Sequence, residues 1–145
     1  MRNIIRKAVL CVIVLAMTVA FTAVLFRSAQ AVSVGLHDIT FVSHTYDPVA
    51  DESTWTYQVT SASGPPPGHA ISHWVLAWRH PEAMVETDDP PWEYVFNDPG
   101  GTGITGIKFD HEYDDGEVRT VSFVLRGDYP EGEVQVGIKA GQNVD

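Results

Sequence analysis

Carboxylate side chains are concentrated in one short stretch of this 145-residue sequence. Five of them fall between residues 110 and 117: Asp110, Glu112, Asp114, Asp115 and Glu117. Oxygen-rich loops of this composition bind Ca²⁺. The EF-hand pattern is not followed, because the sixth and twelfth positions counted from Asp110 hold Asp115 and Val121 instead of glycine and glutamate. Two interpretations are open: a calcium site formed by the five carboxylates, or a solvated hairpin tip in a protein that uses no cofactor.

Four tryptophans offer a second kind of chemistry, the stacking of a sugar ring on an aromatic face. Trp55, Trp74 and Trp78 fall in predicted strands, where we expect them to pack in the core. Trp92 lies in a polar stretch that follows Asp88-Asp89-Pro90-Pro91. The sequence therefore predicts Trp92 as the exposed contact for a ligand, and carbohydrate binding as an alternative function.

Catalytic motifs are absent from the sequence. It contains no G-x-S-x-G and no H-E-x-x-H, and its single cysteine, Cys11, lies near the N-terminus. His69 and His73 are four residues apart, which spans about 13 Å on an extended chain and is too far for one zinc ion. Pairs of carboxylates arise by chance in a chain with 19 acidic residues. We expect a protein that is not an enzyme.

The first 31 residues have the three parts of a secretory signal peptide. Basic residues stand at positions 2, 6 and 7, residues 8–26 form an almost uninterrupted apolar run, and Ala29-Gln30-Ala31 is a small-x-small end. We predict a signal helix that is cleaved after Ala31 and a secreted or cell-surface domain over residues 32–145. An uncleaved anchor through residues 8–26 is the alternative, since about 20 apolar residues span a bilayer.

The charge of the predicted mature domain is strongly negative. Residues 32–145 hold all 19 acidic residues and five basic ones, for a net charge of about −14 with neutral histidines. Such a charge disfavours nucleic acid and anionic membrane surfaces as partners. Cys11 lies in the leader, so the mature domain has no cysteine for a disulfide and must be stabilised by packing.

The elements that would position these residues are short strands separated by turns. Alternating apolar residues predict seven of them, at 34–46, 53–61, 71–79, 92–96, 104–110, 117–126 and 133–139. Asp115-Gly116 is a hairpin turn signal. This rhythm, without an amphipathic helix after the leader, predicts an antiparallel β-sandwich of Ig-like type.

Residues 71–79 are apolar on both faces and predict the central strand of this sandwich. In strand geometry Ile71, Val75 and Ala77 share one face, and Trp74, Leu76 and Trp78 share the other. A strand that can be buried on both sides belongs in the middle of a packed sheet.

Three segments together resemble a small β-sandwich domain type found in secreted and cell-surface proteins of bacteria and archaea. They read I-S-H-W-V-L, T-G-I-T-G-I-K-F-D and V-S-F-V-L-R-G-D-Y-P-E-G-E-V-Q-V-G-I-K-A-G. The resemblance covers residues 54–141 and implies a small extracellular sandwich without known catalytic residues.

These observations favour a non-catalytic secreted or surface protein with a structural, adhesive or assembly role. The alternatives are a carbohydrate- or calcium-binding module, and a filament subunit that accepts a neighbour's strand at an open sheet edge. The corresponding partners are a cell-surface or matrix protein, a glycan, or a second copy of the chain.

Overall fold

Residues 31–64, 70–141 and 143–144 are described by the structure, a computed structural model. The predicted signal helix therefore lies outside the described residues, apart from Ala31. The described residues include no helix that is long and apolar enough to cross a membrane.

Ten antiparallel strands and one short 3-10 helix, Pro81–Ala83, make up the described fold. The strands are β1 Ala31–Val34, β2 His37–Asp47, β3 Glu52–Thr60, β4 Ile71–Ala77, β5 Met84–Thr87, β6 Trp92–Val95, β7 Gly106–Phe109, β8 Val118–Arg126, β9 Val136–Ala140 and β10 Asn143–Val144. They form two five-stranded sheets, with the orders β1-β2-β3-β8-β5 and β10-β9-β4-β7-β6. The prediction of an all-β antiparallel fold is confirmed.

The two sheets pack face to face around a core of aromatic and aliphatic side chains. Tyr57 of the first sheet lies 6.3 Å from Trp74 of the second, and Phe123 lies 5.4 Å from Phe109, measured between ring centroids. Trp74 and Phe109, on the neighbouring strands β4 and β7, stack at 4.2 Å. Contacts of this kind between the inner faces are those of a β-sandwich.

Alternation in the sequence places the first sheet's inner face correctly. On β3 the predicted apolar face is buried, with Val59 fully enclosed, while Gln58 on the other face is exposed. On β8, Val121 and Phe123 are likewise buried as predicted. β3 and β8 therefore each have one face against the core and one face toward solvent, which is the pattern that period-two alternation predicts.

The central strand β4 is buried on both sides, as predicted, but one residue faces the other way. Trp74 and Leu76 enter the main core, and Val75 is enclosed on the opposite side with Val95 and Ile104. Ile71 was expected to share the face of Val75. It packs in the main core instead, because the pairing of β4 with β9 shifts register between residues 71 and 73.

Three short strands were not predicted, and one predicted strand begins late. β1 precedes the predicted strand 34–46, which becomes β2 from His37 after a tight turn at Gly35, whose φ is +62°. β5, which reads M-V-E-T, and β10 were also missed. The last predicted strand begins at Val136 instead of residue 133, so Val134 is exposed instead of facing inward.

Candidate functional site

One end of the sandwich is closed by a buried carboxylate, Asp89, in the connection between β5 and β6. Its side chain is 3% exposed. Tyr113 Oη donates to Asp89 Oδ2 at 2.8 Å, and Trp74 Nε1 donates to Tyr113 Oη at 3.2 Å. Tyr113 is completely buried, and its backbone pairs with that of Ile71 at the start of β4. This chain of hydrogen bonds joins the connections between the sheets to the middle of the core.

Asp89 also holds two cationic or titratable side chains at the surface of the same end. Arg119 Nη1 donates to Asp89 Oδ1 at 3.0 Å, and His111 Nδ1 lies 3.3 Å from the same oxygen. The Arg119 guanidinium also lies 4.8 Å from the centre of the Tyr113 ring, over its face. Burial raises the pKa of Tyr113, and its hydrogen bond to the Asp89 carboxylate raises it further, so the phenol stays protonated. We call Asp89, Tyr113, Arg119 and His111 the polar end.

The structure does not gather the five carboxylates predicted to bind calcium. Asp110 lies at the end of β7 and pairs with Lys108 at 3.1 Å. Glu117 accepts the Asp114 amide at 2.9 Å, which lowers the pKa of Glu117, and it also binds Arg119. Glu112 and Asp115 are exposed. Across the described ranges, no group of three acidic, histidine or cysteine side chains is placed to hold a metal ion.

The turn itself is as predicted from Asp115-Gly116. The Glu117 amide donates to the Asp114 carbonyl at 3.0 Å, and Gly116 has a φ of +75°. The predicted hairpin is wrong, however, because β7 belongs to the second sheet and β8 to the first, so the acidic stretch crosses between the sheets. Two of its carboxylates neutralise nearby cations, Asp110 at Lys108 and Glu117 at Arg119.

An open pocket of about 670 Å³ lies at the other end of the sandwich. Strand β4 runs from the polar end at Ile71 to the pocket at Ala77, a distance of about 20 Å. The pocket walls come from the inner faces of β3, β4 and β8, from residues 104–105, and from residues 129–135 of the connection between β8 and β9. Its larger apolar side chains are Trp55, Tyr57, Leu76, Trp78, Phe123, Leu125 and Tyr129. We call this the aromatic pocket.

Two half-buried rings form the most accessible aromatic surface of the pocket. Trp78 directly follows β4, and Tyr129 belongs to the long connection after β8. The rings meet edge to face with their centroids 4.8 Å apart. Trp78 Nε1 donates to the His80 carbonyl at 2.9 Å, which fixes the indole orientation. A rigid indole with one face in a pocket is a platform for an apolar ligand surface.

Polar groups are interspersed among these rings. Arg79, His80, Thr105, Glu133 and Gln135 all line the pocket. Burial raises the pKa of Tyr57 to about 12, and the nearby charge of Glu131 raises it too. The Tyr57 phenol therefore stays neutral at physiological pH. A mostly apolar cavity with a few polar groups is typical of small-molecule sites.

One polar atom in the pocket wall lacks a protein partner. Trp55 is 8% exposed, and its Nε1 makes no hydrogen bond within the described chain. The Trp55 ring stacks at 4.0 Å on His44, whose Nε2 is also buried without a partner. Buried polar atoms in folded proteins are nearly always satisfied by protein, water or ligand.

The segment that carries one pocket wall, residues 97–105, is fastened by a second buried carboxylate. Asp98 accepts hydrogen bonds from the Thr102 amide and hydroxyl, from the Gly100 amide and from His73 Nε2. Burial alone would raise the pKa of Asp98, but the hydrogen bonds from Thr102, His73 and Gly100 outweigh it and lower the pKa to about 2. Ile104 and Thr105, which line the pocket, are positioned by this loop.

Trp92 is not the exposed loop residue that the sequence predicted. It is the first residue of β6, where it pairs with Phe109 of β7 and is half-buried against the main core. Trp78, which was predicted to be a core residue, is half-buried against the main core and also lines the aromatic pocket.

No protein-family model, no curated protein and no solved structure matches the chain.

Proposed function

We propose that this chain is a secreted or cell-surface binding protein with an adhesive role, and that it holds neutral carbohydrate in the aromatic pocket. The observation that carries the proposal is a pocket of about 670 Å³ that combines the Trp78 and Tyr129 rings with polar side chains. Ligand sites commonly have volumes of about 300–1,000 Å³.

Carbohydrate is the ligand class that suits this mixture of surfaces. A sugar ring has an apolar C–H face that packs on an aromatic ring, and hydroxyl groups around its rim that need hydrogen-bond partners. Trp78 and Tyr129 offer the first kind of surface, and Arg79, Gln135 and Thr105 offer the second.

The negative charge of the domain favours a neutral glycan. With a net charge of about −14 over residues 32–145, the domain repels acidic polysaccharides and nucleic acids. The proposal includes the export of this domain by the leader of residues 1–31, a non-catalytic role, and the resemblance to secreted and surface domains of bacteria and archaea. Attachment to a membrane would then occur only through residues 8–26 of an uncleaved leader.

Strand connectivity also bears on the proposal, and we infer a jelly-roll-like arrangement instead of the Ig-like one. Ig-like sandwiches have the strand orders A-B-E-D and C-F-G. Here strands from the first half of the chain pair with strands from the second half in nested order, β3 with β8 and β4 with β7. Nested pairing is the pattern of a jelly roll, an architecture that includes lectin domains. This is an analogy at the level of fold, and the pocket itself carries the functional argument.

The proposal is tested by isothermal titration calorimetry of the exported protein with neutral β-linked glucose, mannose and N-acetylglucosamine oligosaccharides. We expect heat of binding with at least one of them, and a loss of affinity of tenfold or more in Tyr129→Ala. The matched control is Tyr46→Ala, which removes an aromatic ring that hydrogen-bonds Asp51 outside the pocket. Absence of heat with every oligosaccharide, or equal losses in both variants, would overturn the proposal.

Self-assembly is a second candidate, favoured by the position of β1. This four-residue strand forms the edge of the first sheet and begins at the residue after which we predict cleavage. An edge strand near a chain terminus can be exchanged between copies. Electron microscopy of the concentrated exported protein tests this role: filaments would support it, and uniformly monomeric particles would contradict it.

A further inference from the structure

Aromatic side chains continue out of the pocket as a connected strip across the end of the second sheet. The Tyr129 ring meets Trp78 at 4.8 Å. Tyr94 Oη donates to the Trp78 carbonyl at 2.8 Å, and the Tyr94 ring meets the Phe96 ring edge to face at 5.2 Å. We call Tyr129, Trp78, Tyr94 and Phe96 the aromatic strip.

The strand register brings Trp78 and Phe96 to the same end of the second sheet. Val95 of β6 and Ala77 of β4 both pair with Gly106 of β7, so the residues that follow them, Phe96 and Trp78, leave the sheet side by side. Two interstrand spacings separate β6 from β4, or about 10 Å. The strip therefore extends well beyond the pocket, which is lined by Trp78 and Tyr129 but not by Tyr94 or Phe96.

Phe96 is a large aromatic side chain that is 75% exposed. The Phe96 ring contacts Tyr94, and the Tyr94 hydroxyl donates to the Trp78 carbonyl. The exposed Phe96 ring is therefore a pre-arranged contact surface. Rigid aromatic rings give large contact areas at a low cost in conformational entropy.

We propose that the site binds a linear glycan chain, with one part of the chain in the aromatic pocket and a distal part on Phe96. This inference rests on the proposed function and adds to it that the ligand is a polymer instead of a mono- or disaccharide. A polymer also suits adhesion, because it offers many equivalent sites to molecules on one surface.

Titration calorimetry of the exported protein with a disaccharide and a hexasaccharide of the same neutral series tests the inference. The intact protein is expected to bind the hexasaccharide more tightly than the disaccharide. Phe96→Ala is expected to weaken hexasaccharide binding by roughly threefold to tenfold and to leave disaccharide binding unchanged. Leu36→Ala is the matched control, since it removes another exposed apolar side chain at the opposite end, where β2 begins.

The outcomes separate this inference from the proposal on which it rests. Equal affinity for both lengths, or a Phe96→Ala variant with the length dependence of the intact protein, would overturn the polymer site while the pocket still binds sugar. Binding of neither oligosaccharide would overturn both. Dimers of the intact protein that dissociate in Phe96→Ala would identify the exposed ring as a self-association contact and contradict the polymer site.

Discussion

The polar end and the aromatic pocket contain similar residue types but differ in how fully their polar groups are hydrogen-bonded. Each end has buried or half-buried aromatic rings and charged side chains close to the ends of β4. At the polar end, the Asp89 carboxylate accepts hydrogen bonds from Tyr113 and Arg119, and the Tyr113 hydroxyl in turn accepts one from Trp74. At the aromatic pocket, the Trp55 indole N–H has no partner in the described chain and the Trp78 and Tyr129 rings are half-exposed.

This difference indicates how stability and binding are divided within the domain. A satisfied buried network is rigid and costly to disturb. An incompletely covered aromatic surface contributes less to stability and is available to a ligand. Substitutions at the polar end should therefore change the free energy of unfolding, whereas substitutions at the pocket should change affinity.

The largest expected effect is that of Asp89→Ala. Removing this carboxylate leaves the buried Tyr113 hydroxyl and the Arg119 guanidinium without their shared partner. We expect the free energy of unfolding to fall by roughly 3 kcal/mol or more in urea titrations of the exported protein. Asp115→Ala is the control, since it removes the same charge from an exposed turn in the connection between β7 and β8 and should cost less than about 0.5 kcal/mol. Similar values for both variants would mean that Asp89 does not fasten this end.

A comparison of two tyrosines sharpens the contrast. Tyr113→Phe removes the hydroxyl that joins Trp74 to Asp89, so two buried polar groups lose a partner. We expect a loss of about 2 kcal/mol in the same urea titrations. Tyr129→Phe, at the pocket, should change stability by less than about 0.5 kcal/mol. If the two phenylalanine variants unfold at the same urea concentration, the hydrogen-bond chain is not a major source of stability.

Acid should loosen the loop that forms one pocket wall. The pKa of Asp98 is lowered to about 2, below its ordinary value of 3.8. A carboxylate with a depressed folded-state pKa stabilises the fold above its unfolded pKa, and this stabilisation is lost as pH falls from about 4 to about 2. The loss should be roughly 2 kcal/mol. The measurement is the free energy of unfolding as a function of pH, and this loss should be absent in Asp98→Asn. Identical acid dependence in the variant would count against this role of Asp98.

Tyr129→Ala is expected to cost less stability than the substitutions at Asp89 and Tyr113. Tyr129 is half-buried in a long connection without regular secondary structure, so its removal should cost less than about 1 kcal/mol. The same variant should nevertheless lose oligosaccharide binding. Thermal unfolding of this variant is the measurement, and a loss comparable to that of Asp89→Ala would show that the pocket aromatics mainly support the fold.

Much of the sandwich could be predicted because period-two alternation records which face is buried. The core faces of β3 and β8 follow directly from alternating residues such as Val59 and Phe123. Short edge strands show a weaker alternation of apolar and polar residues. β5 is a strand because β8 lies beside it, and this pairing joins residues about 40 positions apart in the chain. Local sequence cannot indicate such a partner.

The site was harder to predict because its residues come together only through the fold. Asp89 and Asp98 stand in Asp-Pro dipeptides that correctly indicate turns, but their burial depends on donors brought from other strands. Trp78 and Trp92 both follow or begin a strand, and only the packing of the second sheet decides which one faces a pocket. Tyr129 had no signal beyond its position in a turn-rich segment.

The most direct test of the division between the two ends uses the indole N–H resonances of the tryptophans in a heteronuclear NMR titration. A neutral hexasaccharide that binds the exported protein should shift the signals of Trp55 and Trp78, which line the pocket. The signal of Trp74, whose Nε1 donates to Tyr113 and which lies about 13 Å along the chain from Trp78, should stay in place. A shift of Trp74 with Trp55 and Trp78 unchanged would contradict the account and place the ligand at the polar end.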